Sequence, residues 1–143
     1  MSCGFPDRGA SAAGEGCGSR DPSAAEIGRH GESIAAHYLA MCGYRILARN
    51  RRLGPLEIDL LVERRGVVAL VEVRTRRGRK HGRPEESVRR RKRRHLARAA
   101  AALAAECPAL GARRPRLDLI AIERQIGGLQ LRHLPGLPLR PPR

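Results

Sequence analysis

Aromatic residues are almost absent: there is no Trp among the 143 residues, and Phe5, Tyr38 and Tyr44 are the whole set. Readers of single strands usually stack bases on aromatic side chains, so a polyanionic partner is expected to be met through its backbone and shape. Lysine is nearly missing as well. Lys80 and Lys92 are the only two, and every other base is arginine. An Arg-rich, Ala-rich bias can follow genome composition, which discounts the charge as a signal. The four cysteines, Cys3, Cys17, Cys42 and Cys107, form no C-x-x-C and have no histidine at zinc-ligand spacing, so zinc frameworks are excluded and reduced thiols are expected. No apolar run could serve as a signal peptide or span a bilayer. The expected compartment is the cytoplasm, with no membrane partner.

What is present is positive charge. The chain carries 29 Lys+Arg against 14 Asp+Glu, a formal charge of +15, and such a field favours polyanions by neutralising phosphates and releasing counterions. Nucleic acid is the natural partner. A chain of 143 residues is long enough for one domain with one core, since a second would leave each too little apolar surface. Residues 1–23 mix Gly, Ser, Ala and scattered charge, a composition that cannot offset its ordering entropy, so this segment is expected to be a disordered tail. The domain is placed at 24–134, and the Pro-rich 135–143 as a second tail.

Between Ala24 and Cys42, Ile27, Ile34, Ala35, Tyr38, Leu39 and Cys42 recur at helical spacing and Gly43 offers a left-handed cap. Three runs rich in Ile, Leu and Val follow, Tyr44 to Arg52, Leu56 to Glu63 and Val67 to Thr75, divided by Gly54-Pro55 and Arg65-Gly66. They read as a β-meander. A second helix is expected from about Glu85 or Ser87 to Glu106, with Val88, Leu96, Ala99, Ala100 and Leu103 inward and Pro108 closing it. Arg116 to Glu123 and Leu129 to His133 then read as two strands joined across Gly127-Gly128. This order predicts an α/β fold, a mixed sheet flanked by helices.

Two of these strands carry acids in apolar company, Glu57 and Asp59 in one and Glu72 in the next, where buried strands seldom carry charge. A two-residue type I′ turn at Arg65-Gly66 makes opposed residue numbers sum to 131, so that Asp59 faces Glu72 and Glu57 faces Arg74. Two ionised groups about 5 Å apart at an effective dielectric near 20 repel by roughly 3 kcal/mol. Something positive should sit between them. A hard divalent ion fits, because Mg²⁺ is held by one or two carboxylates, waters and substrate phosphate. Nearby arginines that neutralise the pair are the competing account, and a one-residue change of register would separate the acids onto opposite faces.

The blocks Gly31-Glu32-x-x-Ala35-x-x-Tyr38-Leu39, Gly43-Tyr44-Arg45-Ile46-Leu47, Arg49-Asn50-x-Arg52, Glu57-Ile58-Asp59-Leu60 and Val71-Glu72-Val73-Arg74-x-Arg76 stand in order along the chain. Ser87-Val88 with Lys92, and Arg116-Leu117-Asp118, continue them. Together, over about residues 26 to 122, they resemble the YraN family of bacterial predicted endonucleases. That family is similar to archaeal Holliday-junction resolvases and to the restriction-endonuclease-like fold with its PD-(D/E)xK signature. The resemblance implies that Glu32, Asp59 and Glu72 form the shell of a Mg²⁺ or Mn²⁺ ion, and by analogy suggests a homodimer. Two departures stand out. The family's Gly-Glu-Ile-Asp appears as Gly54-Pro55-Leu56-Glu57-Ile58-Asp59, and the signature lysine two residues after the second acid is Arg74. Arginine stays protonated and cannot act as a general base, although it can stabilise phosphorane charge.

Lys92 is a candidate replacement, four residues from both Val88 and Leu96 and so near the inward stripe of helix two; a snorkelling surface lysine is the alternative. Arg116-x-Asp118 reads as a strand-end salt bridge. Arg76, Arg77, Arg79, Lys80 and His81 in a loop, and Arg89, Arg90, Arg93 and Arg94 on the helix, flank the strand of Glu72 and could grip phosphates without reading sequence. The expected activity is Mg²⁺- or Mn²⁺-dependent hydrolysis of duplex or branched DNA, with Arg74 and Lys92 stabilising phosphate charge. The alternatives are a nucleic-acid-binding protein of the same fold with no turnover, and an RNA- or ribosome-associated one.

Overall fold

The computed structural model describes residues 23–77, 90–107 and 115–137. The elements are α1 (Ala24–Met41), β1 (Arg45–Leu53), β2 (Leu56–Arg64), β3 (Val67–Arg77), α2 (Arg90–Glu106), β4 (Arg116–Gln125) and β5 (Gly128–Leu134). The order is the expected one. The side chains of Ala24, Arg77, Arg90 and Arg91 lie outside the described residues, as do the tail at 1–22, the helix start before Arg90, and Pro108.

Ser23 opens α1 with a capping box: its hydroxyl accepts from the Glu26 N–H at 3.2 Å while Glu26 accepts the Ser23 N–H at 2.7 Å. Gly43 ends the helix at φ +85°, a conformation without steric cost only for glycine. The five strands form one sheet in the order β1-β2-β3-β4-β5, antiparallel except for the central β3/β4 pair, which is parallel. A parallel pair needs a crossover, and α2 lies on that connection.

Alternation along the strands splits the core in two. Ala35, Ala36 and Leu39 of α1 pack on Leu60, Val62, Ala69, Val71, Ile120 and Ile122. Leu96, Ala99, Ala100 and Leu103 of α2 pack on Ile58, Leu61, Leu70 and Leu117. β4 is buried on both faces over Leu117–Ile122, as an inner strand with a helix layer on each side must be. This five-stranded mixed sheet with two helices is an α/β fold compatible with the restriction-endonuclease-like class.

Two expectations need correction. The β4–β5 turn is Ile126-Gly127, with Gln125 opposite Gly128 and Gly127 at φ +90°, one residue earlier than Gly127-Gly128. The domain also runs past 134, because Gly136 N–H donates to Asp118 Oδ1 and Leu137 N–H to the Leu117 carbonyl.

Candidate active site

The site begins where a hairpin opens. Arg65 and Gly66 both take positive φ, +50° and +77°, the type I′ signature, and Glu63 steadies the turn by accepting the Gly66 N–H at 3.0 Å. The register sums to 131 from Arg64↔Val67 to Leu60↔Val71 and stops there. β2 then parts from β3, and the Asp59 side chain fills the opening: Oδ2 accepts the Val73 N–H at 2.8 Å in place of a strand carbonyl. Glu57 therefore does not face Arg74. It pairs instead with Arg52 of β1 and is exposed.

Glu72, 3% exposed, sits on the α2 side of this opening. Arg74 Nη2 lies 3.1 Å from its Oε1 and Lys92 Nζ lies 3.3 Å from its Oε2. The Lys92 contact is an ion pair off the hydrogen-bonding direction, so among the described residues the buried Oε2 has no hydrogen-bond donor. Burial pushes the Glu72 carboxyl up to about 7, the Asp59 charge pushes the same way, and Lys92 and Arg74 offset only part of this. Burial also raises Asp59, against the Val73 N–H and the charge of Lys92. Each acid thus carries an electrostatic cost that the surrounding protein only partly relieves.

Glu32 approaches from α1. Burial raises its carboxyl, the Asn50 side chain hydrogen-bonds it, and the charges of Asp59 and Glu57 raise it further. Asn50 is the residue that sequence reasoning passed over. It lies between the Arg49↔Leu60 and Arg51↔Ile58 pairs, hence beside Asp59, and takes φ +48°, which Asn tolerates better than most residues. An Asn amid arginines in a strand is the signal that could have found it. Among the described residues no three His, Cys, Asp or Glu side chains converge on one point. Asp59 and Glu72 come together, with Arg74 and Lys92 upon them, while Glu32 stands at the edge of the group.

The basic residues are distributed unevenly. Arg74 and Lys92 keep 39% and 33% of their side chains in solvent, Arg76 is half-buried and Arg94 is exposed. Arg93 is 7% exposed and faces the core side of α2, a poor position for an open phosphate. Arg79, Lys80, His81 and Arg89, with the side chains of Arg77 and Arg90, lie outside the described residues. Arg116 pairs with Asp118 at 2.7 Å as a salt bridge.

One buried and one half-buried carboxylate suit an ion that keeps most of its water, as Mg²⁺ does, better than an all-protein cage. The donor-less Oε2 of Glu72 is a further fit to such an ion. Fold and site together define an α/β domain with paired carboxylates where two neighbouring strands diverge, attended by cations from the next strand position and the crossover helix. The chain belongs to the uncharacterised protein family UPF0102, whose model matches residues 31–122, and this is the YraN family. It is 46% identical over 99 residues to a UPF0102 protein of Symbiobacterium thermophilum, covering 68% of this chain and 81% of that one. A UPF0102 protein of Syntrophotalea carbinolica is 42% identical over 110 residues, 77% and 89% of the two chains. One from Chloroherpeton thalassium is 41% identical over 96 residues, 67% and 74%. Among the described residues no helix is long and apolar enough to cross a membrane.

Proposed function

We propose that this protein is a Mg²⁺- or Mn²⁺-dependent endonuclease that hydrolyses phosphodiester bonds in duplex or branched DNA. The observation that carries this reading is the convergence of half-buried Asp59 and buried Glu72 where β2 leaves β3, with one Glu72 oxygen lacking a hydrogen-bond donor among the described residues and two half-exposed cations at its side. Perturbed acids of this kind mark functional sites. A divalent ion held there would polarise the phosphate and make its water a stronger nucleophile. Asp59 and Glu72 would hold the ion, and the Val73 N–H fixes the rotamer of Asp59. Arg74 and Lys92, which partly balance Glu72 in the metal-free protein, would stabilise the developing charge of the phosphate. Glu32, positioned by Asn50, orients water at the edge of the site.

A second reading, a nucleic-acid-binding protein without turnover, is favoured by one observation: both Glu72 oxygens already face a cation of the protein itself. Incubation with branched, duplex and single-stranded DNA, with and without Mn²⁺, separates the two. Cleavage that needs the ion and disappears in Asp59→Asn supports the enzyme. Salt-sensitive binding without cleavage on any of these substrates supports the second reading.

A further inference from the structure

α1 presents two flanks with different surroundings. One flank carries Glu32 toward Asn50 and Asp59. The other, through Ile27, His30, Gly31 and Ile34, borders a cleft of about 520 Å³ against the ends of β3, β4 and β5, within the usual ligand range of about 300–1,000 Å³. Its walls are aliphatic, from Ile27, Ile34, Ile122 and Leu129, and three glycines, Gly31, Gly127 and Gly128, leave it open. Gly31 has a reason to be bare, since a Cβ there would run into the Thr75 hydroxyl. Arg76, Arg124, Gln125 and His30 supply polar groups at the rim, together with the carboxylate of Glu26, which accepts the Ser23 N–H. At the tip of the β4–β5 hairpin, beside this cleft, Ile126 is 108% exposed.

We propose that the cleft is a nucleobase pocket and that Ile126 is the wedge that displaces a base into it. This inference rests on the endonuclease reading and names its substrate as a duplex with one nucleotide extruded near the scissile phosphate. A base offers two apolar faces to aliphatic walls and a hydrogen-bonding edge to Gln125, His30 and Thr75, while its phosphate meets Arg76 or Arg124. Exposed Ile, Leu or Met side chains inserted between base steps are an established means of unstacking a duplex, and an extruded base needs a pocket to receive it. Thr75 follows Glu72 by three positions on β3, roughly 10 Å along the strand at about 3.3 Å per residue, and this odd spacing sets the cleft on the α1 face of the sheet and Glu72 on the α2 face. The cleft borders the carboxyl ends of the parallel pair β3 and β4, where open α/β sheets take ligands. A second copy of the chain is the other occupant to weigh, and a charge of +15 opposes it while favouring a polyanion.

The test is binding in chelator, so that no strand is cut, to three duplexes: one fully paired, one with a single unpaired nucleotide, and one with that nucleotide abasic. The protein is expected to bind the unpaired nucleotide about tenfold more tightly than its abasic counterpart, the order expected of one base buried between apolar side chains. Gly128→Leu fills the cleft from a position where a Cβ meets nothing within 4 Å, and Ile126→Ala removes the wedge; in both, the ratio should fall toward one. Met41→Ala, at an exposed apolar residue at the C-terminal end of α1, should retain it. Equal binding of base and abasic duplexes by the wild type overturns the pocket and leaves the endonuclease reading standing. Absence of DNA binding at low salt overturns both. If sedimentation shows Ile126→Ala turning a dimer into a monomer while the ratio stays unchanged, the patch belongs to a second copy and the proposal is overturned.

Discussion

Glu72 on β3 and Asp118 on β4 are buried in adjacent strands, one register step apart, with Val71 opposite Asp118 and Glu72 opposite Leu119. Asp118 faces the α1 layer and accepts four hydrogen bonds: two from Arg116 at 2.7 and 2.8 Å, one shared with His133 at 2.9 Å and one from Gly136 N–H at 3.0 Å. Burial alone would raise its carboxyl, yet His133, Arg116 and Gly136 hold it below the usual range. Glu72 faces the α2 layer with two cations and an oxygen that lacks a donor among the described residues, and its carboxyl is raised to about 7. The same residue class at nearly the same depth is thus completed by the fold in one place and left incomplete in the other. A complete centre has nothing left to offer a ligand. The incomplete one retains an acceptor and a charge imbalance that a metal ion and a phosphate can resolve.

The comparison can be broken most severely at Asp118. Asp118→Ala leaves Arg116 and His133 facing a buried hole, and the loss of stability should be about 3–5 kcal/mol. Urea unfolding with an unchanged m-value would measure it, and a loss below about 1 kcal/mol would deny Asp118 its structural weight.

The two centres should also respond to pH with opposite signs. A raised carboxyl means that the folded state binds more protons than the unfolded one, so the metal-free protein should lose stability as pH rises from about 4.5 to about 7 through Glu72. The size is on the order of 3 kcal/mol, and Glu72→Gln should flatten that stretch of the curve. Asp118 works the other way: its lowered carboxyl contributes stability above the ordinary value of 3.8 that is lost as pH falls through the folded value. A wild-type curve level across the Glu72 window would show that Arg74 and Lys92 balance it fully.

A smaller effect sharpens the contrast at Asp59. Asp59→Asn keeps an acceptor for the Val73 N–H and removes one charge, so at pH 8 in chelator it should stabilise the protein by about 1 kcal/mol. Mn²⁺ should raise the melting temperature of the wild type by selective binding to the folded state, and should not raise that of the variant. A variant less stable than a wild type that ignores Mn²⁺ would remove the metal from the site. Weaker again is Lys92→Ala, which should lower turnover more than Lys80→Ala; equal effects would leave Lys92 a surface charge.

Much of this was legible because it depends on local rules. Turn chemistry at Arg65-Gly66 gave the register from Leu60 to Arg64, and helical spacing placed Lys92 on the inward side of α2. What stayed hidden depends on where strands separate. Nothing in the spacing of Glu57 and Asp59 says that β2 leaves β3 after Leu60, so the Val73 bond to Asp59 and the displacement of Glu57 were not foreseeable. Arg93 shows the same limit on a helix. A run of bases gives no sign of which one the core will cover. Arg116-x-Asp118 was readable as a pair, while the part of His133 awaited the hairpin register that sets it opposite Ile120.

The parallel pairing of β3 with β4 also sets an order of assembly. β1, β2 and β3 are joined by two-residue turns, and such hairpins close in microseconds, whereas β4 must return from beyond the crossover to lie beside β3. Asp59 and Glu72 both belong to the early, local part, and Lys92 arrives with the late one. A folding chain therefore brings two carboxylates together before the ammonium that moderates them is in place. Refolding of the metal-free protein should accordingly be faster at pH 5 than at pH 8, and the difference should shrink in Asp59→Asn. Stopped-flow refolding that shows no dependence on pH would mean that α2 docks before the hairpin is complete.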